Sequence, residues 1–232
     1  MTIKDDLEKE VKKIFSDEWA TRDGQKVPET EDLKLSNDAV KIQGVVLYAD
    51  LAESTNLVDK KKAHFAAEIY KTYLHCASKV IRNEGGVITA FDGDRVMGVF
   101  IGGEKNTSAA RCALKINYAV TKIINPAIKA QYPKSDYKIS HCVGVDACEL
   151  FVARTGVRGS NDLVWVGRAA NYAAKLCSLR TGNYVSYITE TVYKSMMDSV
   201  KFSSPDKKPM WEKRTWTAKN INVYRSSWTW TI

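Results

Sequence analysis

The sequence predicts an α+β domain whose strands and helices follow the order βαββαβ, the ferredoxin-like pattern. Short apolar runs, which are typical of buried strands, alternate with longer segments whose apolar residues recur every three or four positions. Near the middle of the chain, two apolar runs flank an Asp-Gly turn, which is a strong signal for a β-hairpin between two helices. Folds of this kind host many unrelated activities, so the fold class alone does not indicate a function.

Two patterns define the first strand and the first core helix. Residues 44–50, GVVLYAD, form a short apolar run of the kind that becomes a buried strand. The next segment carries one apolar stripe at helical spacing and ends at Gly85-Gly86. The residues of this stripe are Phe65, Ile69, Tyr73, Cys76 and Val80.

The remaining core elements follow in the order that the fold class requires. The runs VITAF and RVMGVFI flank the turn at residues 92–94, and a second helix begins near the capping candidates at residues 106–108. We expect that helix to end at Pro126, because proline removes a helical hydrogen bond. A third helix and further strands are predicted at residues 168–179 and at residues 139–147, 150–154 and 184–188, respectively.

Both ends of the chain extend this core. Residues 1–40 are predicted to be an arm, an amphipathic helix followed by a polar connector, and residues 41–232 to be the main domain. We expect the arm to pack on the domain or on a second subunit. The C-terminal segment is predicted to be a β extension whose tryptophans pack on the core or in a dimer, with stacking of nucleic-acid bases as the alternative. These tryptophans are Trp211, Trp216, Trp228 and Trp230.

Composition and charge limit the class of protein. Hydrophobic residues make up 44% and charged residues 27% of the chain, as in ordinary globular proteins. No apolar run approaches the roughly 20 residues that span a bilayer, and the N-terminus lacks the apolar core of a signal peptide. We therefore expect a cytoplasmic protein. The net charge of +8 favours anionic partners, which include nucleic acid, membrane surfaces and polyphosphate substrates.

The five cysteines argue against a disulfide framework or a zinc site. They are scattered, odd in number and without a CxxC pair, and the three histidines are equally dispersed. We therefore predict buried free thiols. The cysteines are Cys76, Cys112, Cys142, Cys148 and Cys177.

Two aspartates are the strongest candidates for chemistry. Asp50 closes the first strand and Asp94 lies at the tip of the hairpin, so the two carboxylates converge if the hairpin neighbours that strand. Converging carboxylates repel each other unless a cation lies between them, and Mg²⁺ or Mn²⁺ suits such oxygen ligands. Ser54 and Thr55 follow toward a helix start, where backbone N–H groups can bind phosphate oxygens. Taken singly, Asp94 could be a turn residue and Asp50 a helix cap.

A third polar element lies on the predicted helix that follows Gly167. Asn171 and Lys175 are four residues apart, so an amide and a cation share one helical face. The ordinary alternative is a solvated polar face. The three elements together carry more weight than each one alone.

Three blocks in this order and spacing, YADLAEST, FDGDRVMGVF and GRAANYAAKL, resemble the catalytic domain of class III nucleotidyl cyclases. The resemblance covers about residues 43–190 and a final strand near residues 221–224. It implies a nucleoside triphosphate substrate and a head-to-tail homodimer with active sites in the interface. It also implies that Lys213 or Arg214 is a candidate for contact with the triphosphate.

The resemblance assigns roles to individual residues. It implies that Asp50 and Asp94, assisted by the backbone carbonyl of Leu51, bind two divalent metal ions, Mn²⁺ or Mg²⁺. Asn171 would orient the ribose. Lys175 stands where the family usually has an arginine that stabilises charge on the reacting phosphate, and lysine keeps that charge but loses the planar fork.

The base-reading positions of purine-specific family members are occupied by apolar residues. The slot four residues before the second metal aspartate holds Ala90, and the slot seven before the helix asparagine holds Val164. Neither side chain can hydrogen-bond a purine, although a shift of one residue would offer Thr89. Tyr48 points to the same face of its strand as Asp50 and would narrow the pocket, unless it is an ordinary core aromatic.

The whole chain resembles the Pycsar pyrimidine cyclases of bacterial anti-phage defence. This resemblance implies conversion of UTP to cyclic UMP, which activates a separate effector protein; cyclic CMP from CTP is the second choice and adenylate cyclase activity the third. The non-enzymatic alternatives are an inactive cyclase-like module that binds nucleotide and a nucleic-acid-binding domain. We expect no membrane partner, and nucleic acid is not the expected ligand.

Overall fold

The structure is a computed structural model that describes residues 2–232, and it divides into two compact units. The smaller unit comprises residues 2–43 and Glu149–Gly167, and the larger unit comprises Gly44–Cys148 and Arg168–Ile232. The helices are α1 (Ile3–Ser16), α2 (Ser54–Lys60), α3 (Ala63–Asn83), α4 (Lys105–Tyr118), α5 (Asn125–Gln131), α6 (Arg168–Leu176), α7 (Glu190–Ser195) and α8 (Asp198–Lys201). The strands are β1 (Ala20–Asp23), β2 (Asp38–Leu51), β3 (Val87–Asp92), β4 (Arg95–Phe100), β5 (His141–Val157), β6 (Ser160–Val166), β7 (Ser186–Thr189), β8 (Glu212–Trp216) and β9 (Ile221–Ser226).

The smaller unit begins with the predicted arm helix, α1. The Thr2 and Asp5 side chains form a reciprocal capping box at its start, and the amide of Asn37 donates to the carbonyls of Ile14 and Asp17 at 2.9 and 2.7 Å at its end. The helix is therefore confirmed. None of its residues is buried, so the packing of its apolar stripe on the domain or on a second subunit stays a prediction.

The rest of the smaller unit is built on two strand pairs. β1 runs parallel to the first half of β2, and β6 runs antiparallel to the second half of β5. The ring of Trp19 meets the ring of Phe151 edge to face at a centroid distance of 5.1 Å. Along the chain, β2 and β5 each contribute residues to both units.

The larger unit has the predicted α+β architecture. Its sheet has the strand order β3-β4-β2-β5-β7-β9-β8, so the β3–β4 hairpin lies on one side of β2 and β5 lies on the other. β2 and β4 are antiparallel, and β5 and β7 are parallel. The succession β2, α3, β3, β4, α4, β5 is the predicted βαββαβ order, which confirms the ferredoxin-like assignment.

The core of the larger unit lies between the sheet and helices α3 and α4. The α3 stripe is buried as predicted, apart from Cys76, which is half-buried. On the other side of β5, α6 approaches the sheet so closely that a Cβ atom on Gly144 would lie 2.1 Å from the carbonyl oxygen of Ala173. Glycine at this position therefore sets the depth at which α6 packs.

Three expected boundaries are wrong. The first strand, β2, begins at Asp38 rather than at residue 44, so it includes the end of the predicted connector. The helix does not end at Pro126: α4 continues through π-helical turns at Ala119–Ile124 into α5. Pro126 stands in the first turn of α5, where a missing N–H is tolerated. The strands expected at residues 139–147 and 150–154 are one strand, β5, because the intervening Cys148 and Glu149 remain extended.

The C-terminal segment forms the predicted hairpin, β8–β9. Trp211 is buried in the main core and donates from its indole nitrogen to the carbonyl of Val200 at 2.8 Å, and Trp216 is also buried. These two rings are thus used in packing and are not available to stack nucleic-acid bases. Among residues 2–232, no helix has the combination of length and apolarity that a membrane span requires.

Candidate active site

The site begins with Asp50, near the end of β2. Asp50 lies opposite Arg95 of β4, and 19% of its side chain is exposed. Burial raises the pKa of Asp50, the charge of Arg180 opposes this shift, and the charge of Asp94 adds to it. Ionisation of the half-buried Asp50 carboxylate therefore costs free energy unless a cation lies beside it.

Asp94 meets the end of β2 as the sequence predicted. It lies in the turn between β3 and β4, after Gly93, whose φ of +60° belongs to the left-handed region. The backbone N–H of Leu51 donates to the carbonyl oxygen of Asp94 at 3.3 Å, which joins the hairpin tip to the residue after Asp50. The carboxylates of Asp50 and Asp94 and the Leu51 segment therefore lie together where the central strand β2 ends.

Arg180 is a residue of this site that the sequence analysis missed. Its Nη2 atom lies 2.7 Å from Oδ2 of Asp50 and 3.5 Å from the carbonyl oxygen of Leu51. Its Nε atom donates to the carbonyl of Cys177 at 2.9 Å. Arg180 follows the 3-10 turn that ends the α6 segment, and no periodicity links it to an aspartate 130 residues away.

Tyr48 lies two residues before Asp50 and is half-buried. Burial raises the pKa of its hydroxyl, so the group stays protonated and can donate a hydrogen bond at neutral pH. The guanidinium of Arg95 lies 5.6 Å from the centre of the Tyr48 ring, at the distance of a cation–π contact. The ring also packs against a buried cluster that includes Cys142, so it is in part the core aromatic that the alternative described.

Helix α6 carries the other two predicted residues. Asn171 and Lys175 are both exposed, and Lys175 forms no ion pair with Asp50 or Asp94 within the described part of the chain. The end of α6 is joined to β2, because the thiol of Cys177 donates to the carbonyl of Tyr48 at 3.5 Å. The helix is thus held in place, with Asn171 and Lys175 on its exposed side.

The expected base-reading positions belong to different units. Ala90 is in β3 opposite Met97, just after a register shift. Thr89 is the residue at that shift, and its hydroxyl is buried without a hydrogen-bond partner among the described residues. Val164 belongs to the smaller unit, where it pairs with Ala153 on β6 and is 39% exposed.

The segment after Asp50 opens a short helix as expected. Glu53 has a left-handed φ of +58°, which turns the chain from β2 into α2, and Ser54 and Thr55 form the first turn of that helix. On β8, the last strand in the sheet order, the basic candidates are paired: Lys213 lies 3.8 Å from Glu190, and Arg214 contacts Glu212.

The gathered oxygens fit a hard divalent cation. The donor set offers two carboxylates and one backbone carbonyl, which suits Mg²⁺ or Mn²⁺ because these ions complete their coordination with water and substrate phosphates. In residues 2–232, no three His, Cys, Asp or Glu side chains form a metal-binding group. A metal at the end of β2 would be held by two carboxylates and one backbone oxygen, those of Asp50, Asp94 and Leu51, and not by three acidic side chains.

A second aspartate–arginine pair lies at the start of α6. Asp146 is fully buried and receives hydrogen bonds from Arg168 Nε at 3.0 Å and Arg168 Nη2 at 3.3 Å. The hydroxyl of Thr189 donates to the same carboxylate at 2.5 Å. This pair fixes the first residue of α6 to β5 and β7, and no sequence pattern pointed to it.

A buried histidine lies on β5 in the same unit. Burial, reinforced by the charge of Arg180, lowers the pKa of His141 to about 3, so its ring is neutral. The ring centre lies 6.0 Å from that of Tyr73, which belongs to α3. The cysteines are thiols and not disulfides, as predicted. Cys112, Cys142 and Cys177 are buried as expected, whereas Cys76 and Cys148 are only half-buried.

Known proteins with similar sequences share one description. A uridylate cyclase of Xanthomonas perforans is 53% identical over 234 residues, and one of Burkholderia cepacia is 50% identical; both alignments cover 100% of each chain. A uridylate cyclase of Rhodovulum sp. (strain MB263) is 42% identical and covers 98% of this chain and 97% of its own. No family model matches the sequence.

Solved structures show the same fold at low sequence identity. A bacterial light-regulated adenylyl cyclase has a TM-score of 0.70 and 21% identity, with coverage of 83% of this chain and 53% of the longer one. The guanylyl cyclase Cya2 has a TM-score of 0.67 and 16% identity, with coverage of 82% and 94%. The adenylyl cyclase CyaB from P. aeruginosa has a TM-score of 0.64 and 20% identity, with coverage of 81% and 95%.

Proposed function

Because this chain belongs to the uridylate cyclase family, we propose that it converts UTP into 3′,5′-cyclic UMP and pyrophosphate with the help of Mn²⁺ or Mg²⁺. The observation that carries the proposal is the convergence of Asp50 and Asp94 at one sheet edge, in a chain that is 53% identical over its full length to a uridylate cyclase. The reaction forms a bond between the ribose 3′-oxygen and the α-phosphorus, breaks the bond to pyrophosphate and releases the 3′-hydroxyl proton to water.

In this proposal, one group of residues binds the metal ions and another contacts the substrate. Asp50, Asp94 and the carbonyl of Leu51 would hold two divalent ions, which supply neutralisation of the triphosphate and a lowered pKa of the 3′-hydroxyl. Asn171 orients the ribose, and Lys175 places a positive charge at the reacting phosphate. Positioning and electrostatics account for much of the catalysis in phosphoryl transfer, so no protein base is required.

The same elements provide for the phosphates and the base. The first N–H groups of α2, at Ser54 and Thr55, bind phosphate oxygens. Tyr48 reads the pyrimidine with its protonated hydroxyl, and the apolar Ala90 and Val164 offer no side-chain partner to a purine. UTP is thus the favoured substrate; CTP is the second candidate and ATP the third.

A panel of nucleotides tests the substrate. Purified protein is incubated with Mn²⁺ and UTP, CTP, ATP or GTP, and the products are separated by chromatography. We expect cyclic UMP as the main product. Cyclic CMP or cyclic AMP as the sole product would refute uridylate specificity, and absence of any turnover would favour an inactive nucleotide-binding module.

The active sites lie between two copies of the chain arranged head to tail. This proposal is supported by the exposure of Asn171 and Lys175 and by the lack of an ion pair between Lys175 and either aspartate among residues 2–232. Each variant, Asp50→Ala or Asn171→Ala, is expected to be inactive alone. Mixing them should restore activity at one site of each heterodimer, whereas failure to restore it would indicate a site within a single chain.

The product serves as a cytoplasmic signal in anti-phage defence and activates a separate effector protein. This part rests on the resemblance to defence cyclases. Cells that express the wild-type chain should accumulate cyclic UMP after phage infection, and cells that express Asp50→Asn should not. An unchanged cyclic UMP level during infection would contradict the signalling role and leave the enzymatic proposal intact.

A further inference from the structure

Arg180 occupies the position where a cation would meet the metal-binding oxygens. Its guanidinium lies 2.7 Å from Asp50 and 3.5 Å from the Leu51 carbonyl, two of the oxygen donors assigned above to a divalent ion. We propose that Arg180 is a displaceable counter-cation that competes with the divalent metal for Asp50. The inference rests on the proposed metal-dependent function and adds a positioning residue to it.

The competition follows from the contact distances. Metal–oxygen bonds to Mg²⁺ or Mn²⁺ are about 2 Å long, so the ion would need the space in which Arg180 Nη2 now contacts Asp50. An ion bound to both Asp50 Oδ2 and the Leu51 carbonyl would lie between the same two oxygens that Arg180 Nη2 contacts, so the ion and the guanidinium, both positive, compete for this place. Binding of the ion therefore requires Arg180 to leave or to turn.

The contact is built so that Arg180 can leave. Asp50 receives one hydrogen bond from Arg180 rather than a two-point fork, and 35% of the Arg180 side chain is exposed. Such a pair is partly screened by water and contributes little stability. The other end of the guanidinium stays attached, because Arg180 Nε donates to the carbonyl of Cys177.

Arg180 also has a reason to be present without metal. Burial and the charge of Asp94 both disfavour the charged form of Asp50, and among residues 2–232 Arg180 is the cation that forms an ion pair with it. Arg180 therefore keeps the two carboxylates close together until the metal replaces it.

Manganese binding to the full-length protein tests the proposal without measuring turnover. Free Mn²⁺ is followed by electron paramagnetic resonance during titration of wild-type, Arg180→Gln and Arg95→Gln protein. The Arg95 variant is the matched control, because Arg95 has the same charge and acts on Asp50 without a hydrogen bond to it. Arg180→Gln should bind Mn²⁺ roughly three- to tenfold more tightly than Arg95→Gln.

Thermal denaturation supplies a second readout. Without metal, Arg180→Gln should melt below wild type, and Mn²⁺ should raise its melting temperature by more than it raises that of wild type. The Mn²⁺ affinity of Arg180→Lys, which keeps the charge, should lie between that of wild type and that of Arg180→Gln. It also provides a folded test protein if the glutamine variant does not fold.

Two results overturn the proposal, and they are distinguishable from failure of the proposed function. Equal Mn²⁺ affinity in Arg180→Gln and Arg95→Gln, or weaker binding in Arg180→Gln, would show that Arg180 does not compete. If Asp50→Asn binds Mn²⁺ as tightly as wild type does, the metal site itself is wrong, and both proposals fail.

Discussion

Two aspartate–arginine pairs in the larger unit differ in how completely each carboxylate is satisfied. Asp146 is fully buried and receives two hydrogen bonds from Arg168 and one from Thr189. Asp50 is partly exposed and receives one hydrogen bond, from Arg180, among the residues described. A carboxylate held by three hydrogen bonds is structural, whereas one whose single hydrogen-bond donor can be exchanged is suited to an incoming cation.

The two arginines also differ in the oxygens that they contact. Arg168 also donates to the carbonyl of Ala147 at 3.0 Å, so its guanidinium bridges side chain and backbone of one strand. Arg180 reaches two oxygens that are candidates for metal binding. The Asp146–Arg168 pair thus fixes the position of α6, whereas the Asp50–Arg180 pair balances charge in the candidate site. Substitutions at the two aspartates should therefore affect different properties.

The largest effect is expected for Asp50→Asn. It should reduce kcat by roughly a thousandfold or more, because loss of a metal ligand removes several kcal/mol of charge stabilisation. The free energy of unfolding should change little, since the substitution also removes a half-buried charge that Asp94 repels. Steady-state kinetics and urea denaturation measure the two quantities. A large loss of stability would make Asp50 a structural residue like Asp146.

Asp146→Asn should have the opposite profile. It leaves Arg168 without a charge partner and should lower the free energy of unfolding by roughly 2–3 kcal/mol, at the low end for buried pairs because 46% of the Arg168 side chain is exposed. Urea denaturation at pH 7 measures this loss. If the stability is unchanged while kcat falls as far as in Asp50→Asn, the contrast between the two pairs is wrong.

Acidification should lower the free energy of unfolding because of His141, and this effect should depend on Arg180 but not on Arg168. Its pKa of about 3 in the folded chain lies below the ordinary value of 6.5, so the unfolded chain binds an extra proton between these values. Stability is therefore complete above pH 6.5 and falls as the pH decreases, by about 2 kcal/mol at pH 5. Urea denaturation at both pH values measures the loss.

Variants identify the source of this pH dependence. His141→Gln should remove most of it. Because the charge of Arg180 contributes to the lowered pKa of His141, Arg180→Gln should reduce the pH dependence slightly, and Arg168→Gln should not. An undiminished pH dependence in His141→Gln would assign the effect to other groups.

The convergence of Asp50 and Asp94 could be predicted from the sequence because the position of each aspartate is set by a local signal. One closes an apolar strand, the other lies in an Asp-Gly turn, and the βαββαβ order places the hairpin beside that strand. Arg180 and Arg168 could not be predicted in the same way. Each meets its aspartate through tertiary packing of α6, and neither lies in a periodic pattern that points to a partner.

Element boundaries failed where local propensity was overruled by packing. Pro126 was expected to end a helix, but the wider π-helical turns before it allow the chain to continue. Cys148 and Glu149 interrupt the apolar pattern of β5, yet pairing with β6 keeps the strand extended beyond them. Asp146 lies within that same run, so its sequence context resembles an ordinary strand position.

The smallest effect is expected for Thr189→Val, which removes the hydrogen bond from Thr189 to Asp146, leaves the two from Arg168 and keeps the shape of the side chain. Loss of this bond should lower the free energy of unfolding by about 1 kcal/mol, because Arg168 still satisfies the carboxylate. Thr189→Ser retains the hydroxyl and serves as the matched control in urea denaturation. In both variants kcat should remain within about twofold of wild type. A fall in kcat with Thr189→Val alone would show that the Asp146 pair also positions α6 for catalysis.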